Sequence, residues 1–271
     1  MSILRENPVL WKDLRNRARS RRRARVNRIT VVVVIGLSIL ALYWFGLRGI
    51  LAANSARLAR DLYMLFVLGI ETTLLLFLVP SLAAGSITQE REQQTWNALL
   101  LSRLRPAEIV LGKYVAAVLP PLLILALFAP LNLTAAIIAN IAPIDILLTG
   151  LHLLATLFFY AAVGVFCSWA CRRTFIANAA AFAVTGFFVV GTFILYVLAE
   201  EMFRGGRTYL VVEEFLPLWL NPYMPVTLLM DRSSRMVTPS LVYIVFCFTG
   251  AFLLLLIAMR RLTKGPKELE Q

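Results

Sequence analysis

Long apolar runs alternate along this chain with short stretches that hold nearly all of its charge. Six runs are long enough to cross a bilayer: Ile29–Gly46, Leu62–Ala84, Val115–Asn140, Ile144–Ala170, Phe175–Ala199 and Ser240–Met259. A helix rising about 1.5 Å per residue needs roughly 18–20 residues to cover the hydrocarbon, and each run provides that. Lipid offers the backbone no hydrogen bonds, so such runs must satisfy their own and are predicted to be α-helices. The expected fold is therefore an all-α integral membrane protein with six transmembrane helices. Pro120, Pro121 and Pro130 are expected to kink the third, and Asn140 to Pro143 to form a short turn before the fourth.

Composition agrees with a membrane protein. Hydrophobic residues make up 60% of the 271 positions, above the roughly 45–50% of soluble domains, and charged residues only 15%. The net charge of +12 could suggest nucleic acid, but much of the excess lies between Lys12 and Arg28, directly before the first apolar run. A basic cluster at that place is matched to anionic lipid headgroups. With the N-terminus inside, the inner segments carry twenty Lys and Arg against seven on the outer ones, while acidic residues divide evenly. The positive-inside rule then puts both termini in the cytoplasm. The first run exceeds the 7–15 residues of a signal-peptide core and lacks a good cleavage site, so it reads as a retained helix. Residues 1–28 form a basic segment ahead of a single transmembrane domain, 29–271. Within that segment Leu10, Leu14 and Ala18 recur every four residues beside Trp11. This predicts an interfacial amphipathic helix anchored by Trp11, Lys12 and Arg15.

Two intervening stretches are long. The outer one, 200–239, contains Pro217-Leu-Trp-Leu-Asn-Pro-Tyr-Met-Pro225, too apolar for a solvated loop. It is expected to dip into the interface as short broken helices, with Trp219 and Tyr223 at headgroup level. The inner one, 86–112, begins charged with Glu90, Arg91 and Glu92 and turns apolar at Trp96, Leu99 and Leu100. Pro106 and Glu108 fit the first turn of a helix running into the third span. A short helix with an exposed Trp–Leu face, set across the membrane surface, is suited to a groove in a cytoplasmic partner.

Inside the membrane runs, Glu71 is an acid at depth. It must meet water or other protein, either on a substrate path or as a protonated carboxyl bonded to a neighbouring helix. His152 has no carboxylate at helical spacing and reads as an interfacial or packing residue. Ser81-x-x-x-Gly85 has the small-residue spacing that lets helices approach. Asn132-Leu-Thr134 has the form of a glycosylation acceptor but lies in a membrane run, where that form is meaningless. Cys167, Cys171 and Cys247 make neither a disulfide framework nor a metal pattern.

Glu90-Arg-Glu, Thr95, Leu99-Leu-Leu101 and Glu108-Ile-Val-Leu-Gly-Lys113, with the opening Asn7-Pro-Val-Leu-Trp-Lys-Asp-Leu14, carry a resemblance. They are similar to the ABC-2-type membrane subunits of bacterial ATP-binding-cassette exporters, and the topology resembles that family over the whole chain. Two departures concern the bend: Gln94 stands where glycine is frequent, and Ser102-Arg103 replaces Thr-Pro. The resemblance implies a permease subunit in a bacterial cytoplasmic (inner) membrane, paired with a second, identical or similar one. It implies a cytoplasmic coupling helix docked on an ABC ATPase subunit through Glu90, Arg91, Glu92, Thr95, Trp96, Leu99 and Leu100; Glu71, as an acid at depth, is the candidate for a polar point on the substrate path or a gate. No Gly-x-x-x-x-Gly-Lys-[Ser/Thr] occurs, so ATP hydrolysis belongs to the partner. No catalytic residue, cofactor or metal is expected. A membrane enzyme would show His-Glu-x-x-His or Gly-x-Ser-x-Gly, and neither is present. An ATP-independent carrier or a membrane scaffold stays open as the alternative.

Overall fold

The structure is a computed structural model that describes Trp44, Arg48 and residues 56–96, 106–203, 219–230 and 237–263. The basic segment with Trp11, Lys12 and Arg15 lies outside these residues, as does the run Ile29–Gly46 apart from Trp44. Leu99, Leu100 and the rest of the stretch 97–105 lie outside them too.

Every element among the described residues is helical. Helix α1 (Ala56–Met64) passes through a π-helical stretch, Leu65–Thr72, into α2 (Thr73–Glu92) without leaving helical dihedrals. Then come α3 (Pro106–Ile138) and α4 (Pro143–Ala170). Helix α5 (Thr174–Gly186) likewise passes through a π-helical turn, Phe187–Gly191, into α6 (Thr192–Phe203). The short α7 (Met224–Met230) and the long α8 (Val237–Thr263) complete the set. Among the described residues five stretches are long and apolar enough to span a membrane: Arg60–Glu92, Ala107–Ile138, Pro143–Ala170, Thr174–Leu198 and Val237–Arg260. This is the make-up of a multi-pass membrane protein.

The helices extend past the apolar runs because apolar composition marks hydrocarbon, not helix. Charged residues continue the first of them to Glu92. Helix α3 continues through Pro120, Pro121 and Pro130. It ends in a Schellman turn, where Asn140 N–H reaches Ile137 O at 3.1 Å and Ile141 N–H reaches Ala136 O at 3.0 Å. Asn140 takes the left-handed conformation that closes such a turn (φ 53°), a place where Asn substitutes well for Gly. Pro143 then starts α4 in its first turn, with Asp145 at the positive end of the helix dipole.

Helix α4 is central. Within its most apolar window 67% is buried, against 17% for Thr174–Leu198, which lies at the periphery. Its closest neighbour is α2. A Cβ on Gly164 would fall 2.4 Å from Ala83 Cβ and 3.1 Å from the backbone nitrogen of Ala84, so only glycine permits this approach. One turn on, Ser168 Oγ accepts from Ile87 N–H at 2.8 Å and Thr88 N–H at 3.1 Å, a contact of side chain on helix backbone. The spacing Gly164-x-x-x-Ser168 makes the seam. Ser81, in the pair singled out by spacing, is exposed and bonds back to Leu78 O at 2.8 Å.

The described part of the segment 200–239 packs against the bundle. Asn221, 4% exposed, donates to Val189 O at 3.0 Å and Thr192 Oγ1 at 2.9 Å, at the end of the π-helical turn between α5 and α6. Tyr223 OH meets Thr73 Oγ1 at 2.9 Å, and Ser240 Oγ donates to Pro225 O at 2.9 Å. His152 is fully buried and packs as expected of a packing residue. Its Nε2 lies 2.8 Å from Pro222 O, and because a carbonyl only accepts, this nitrogen holds the proton. The ring stacks on Tyr243 at 4.3 Å.

Candidate functional site

The residues that carry the family resemblance meet where α2 ends. Helix α2 closes in a Schellman turn: Thr95 N–H reaches Glu90 O at 2.9 Å and Gln94 N–H reaches Arg91 O at 3.1 Å. Gln94 supplies the left-handed residue (φ 57°), so the chain makes with glutamine the bend for which glycine is better suited. In most such turns an apolar contact joins the two ends. Here a polar one takes its place, with Thr95 Oγ1 donating to Glu90 Oε2.

Glu90 is clamped from the other side as well. Lys113 Nζ donates to its Oε1 at 3.0 Å, and the two side chains are 3% and 9% exposed for Lys113 and Glu90 respectively. This buried ion pair ties the end of α2 to the second turn of α3. Its carboxylate is held by an ammonium and a hydroxyl, the kind of satisfaction a buried charge requires. Arg91 Nη1 reaches Cys171 O at 2.9 Å, placing positive charge at the C-terminal end of α4. The same guanidinium lies 5.4 Å from the centre of the Trp96 ring. Glu92 Oε1 accepts from Thr174 N–H at 2.7 Å and so caps α5, while Thr174 Oγ1 donates to Thr88 Oγ1 at 3.0 Å. Three consecutive charged residues thus fasten α2 to α3, α4 and α5 in turn.

Trp96 is 8% exposed and packs with Ile87, Ile109, Val110 and Val165 in a small core beneath the bend. This corrects part of the sequence expectation. Glu90 and Trp96 do not present an outward face, because α2 runs on to Glu92 and the turn folds Trp96 back over the helices. Thr95 and Arg91 are half-buried, and Glu92, Gln93 and Gln94 are exposed. Lys113 and Ser168 complete the arrangement. Lys113 ends the motif Glu108–Lys113, and the one sequence sign of Ser168 is its small-residue spacing from Gly164.

A second polar point lies within the bundle. Glu71 is on the π-helical stretch and 2% exposed. Asn132 Nδ2 on α3 donates to its Oε1 at 2.7 Å. Glu71 Oε2 and Asn132 Oδ1 are both buried without a protein partner. Among the described residues there is no group of three or more His, Cys, Asp and Glu that could hold a metal ion.

No protein-family model matches the chain, and no curated protein matches it.

Proposed function

We propose that the chain is the permease subunit of an ABC exporter, moving its substrate across a bacterial inner membrane while a separate ATPase subunit hydrolyses ATP. Both termini lie in the cytoplasm, and two such subunits pair. What supports the reading is the Glu90–Lys113 pair. The two halves of the motif, around Glu90 and ending at Lys113, are far apart in sequence and meet as one clamp. A force applied to residues 97–105 from the cytoplasm would reach α2 and α3 through that clamp. It would reach α4 and α5 through Arg91 and Glu92. Docking falls to Leu99, Leu100 and the exposed Glu92, with Glu90, Thr95 and Trp96 as the rigid mount behind them.

The test is to purify the tagged chain from gently solubilised membranes, identify co-purifying proteins and assay ATP hydrolysis. An ATPase that co-purifies with the wild type and is lost from Leu99→Asp/Leu100→Asp, with membrane insertion intact, is the expected result. Absence of any nucleotide-hydrolysing partner in several mild detergents at low salt would overturn the proposal in favour of an ATP-independent carrier or scaffold.

A further inference from the structure

Glu71 and Asn132 are half of a complementary pair. A carboxylic acid and a primary amide can exchange two hydrogen bonds: the amide N–H to the acid carbonyl, and the acid O–H to the amide carbonyl. The first is in place at 2.7 Å. The second has both oxygens ready, Glu71 Oε2 and Asn132 Oδ1, each buried and accepting from no protein group. An ionised Glu71 brings no donor to that second position and leaves two acceptor oxygens in apolar surroundings, which hydrocarbon-depth burial penalises heavily. One proton satisfies both.

We propose that Glu71 and Asn132 form a proton-binding site within the membrane. Glu71 carries the proton on Oε2 and donates it to Asn132 Oδ1, closing the reciprocal pair between the π-helical stretch and α3. Only a proton is taken up, and no other bond forms or breaks. The neighbouring hydroxyls are committed elsewhere: Thr72 Oγ1 donates to Val67 O at 2.8 Å, and Thr73 Oγ1 pairs with Tyr223 OH. A metal ion would need several more oxygens than the two on offer. Titratable groups on this side are Tyr63, two turns back on the same helical stretch, and Asp145 at the start of α4. Tyr63 lies within electrostatic reach of both Glu71 and Asp145. Arg60, about three turns before Glu71, is the nearest cation along the same stretch. π-helical segments inside α-helices frequently mark functional positions, and this one makes the contact between two spans depend on a proton. The site goes beyond the permease reading and does not rest on it.

Infrared difference spectroscopy of the full chain in lipid nanodiscs at neutral pH, wild type against Glu71→Gln, tests the site. A protonated-carboxyl carbonyl band should be present in the wild type, absent from Glu71→Gln, and shifted in Asn132→Leu. Glu71→Gln should stay close to the wild-type melting temperature, because Gln offers an acceptor and a donor to the same two Asn132 atoms and adds only one further N–H. Absence of the band overturns the proposal, as does failure of Glu71→Gln to fold. Protection of the wild type alone by sodium or potassium ions also overturns it and assigns a metal cation instead.

Discussion

Glu71 and Glu90 stand on one continuous helical stretch, both almost inaccessible, and they are held in opposite ways. Glu90 faces an ammonium and a hydroxyl, which together give a buried carboxylate the donors it needs. Glu71 meets one amide N–H and has an oxygen to spare. The lesson is that burial alone does not tell what a carboxylate does. The count and charge of the donors around it decide whether it is a fixed strut or a group that exchanges something. Around Glu90 the ammonium of Lys113 and the hydroxyl of Thr95 fasten a helix end. Around Glu71 the pairing is incomplete in the unprotonated form, at a point where the helix itself is irregular.

The largest test of this contrast removes the cation. Lys113→Met leaves Glu90 buried without its counter-charge and should cost about 3–5 kcal/mol, read as unfolding in mixed micelles. Replacing both partners, Glu90→Met/Lys113→Met, should recover most of that loss, because the uncompensated charge is gone. Next in size is Glu90→Gln, which keeps an acceptor for Lys113 but weakens a charge-assisted bond, at about 1.5–3 kcal/mol. The same exchange at Glu71 should be nearly silent in the same assay, and equal losses at the two sites would erase the distinction. The smallest effect concerns the bend that positions Glu90. Gln94→Gly should relieve the left-handed strain and raise stability by about 0.5–1 kcal/mol. A destabilised Gln94→Gly would mean that the glutamine side chain makes a contact worth more than the strain.

The bundle was legible because lipid enforces a simple pattern: an apolar run must be a helix, and Leu62–Ala84 through Ser240–Met259 mark the five membrane-length helices among the described residues. Helix ends were less legible, since Glu90–Glu92 and Arg60–Asp61 are charged yet helical. Glu71 stood out as an intramembrane acid. Asn132 shows in the sequence only as a meaningless glycosylation form, because an amide in an apolar run carries no charge, though it faces the same desolvation problem in milder form. The roles of Glu90 and Trp96 were not readable, because exposure at a helix end depends on where the turn falls. Gln94 departs from the glycine that is frequent at the bend, yet the turn forms, since its hydrogen bonds are backbone ones. The entry of Asn221 into the bundle is not legible in the sequence, because tertiary packing is what brings its acceptors, Val189 O and Thr192 Oγ1, to it.

That turn also governs which changes the chain could survive. Phe187–Gly191 holds more residues per turn than the helix on either side, and Asn221 is fitted to its far end. The turn holds one residue more than a regular helix would, so deleting a single residue there would restore a regular helix and leave everything beyond it on nearly the same face. Thr192 would keep its place beside Asn221, and the segment pinned by His152 and Tyr223 would keep that mooring. The extra residue between Gly186 and Thr192 is thus a reserve of length: its loss is absorbed where the helix is wide, whereas a one-residue gap in regular helix turns everything beyond it by about 100°.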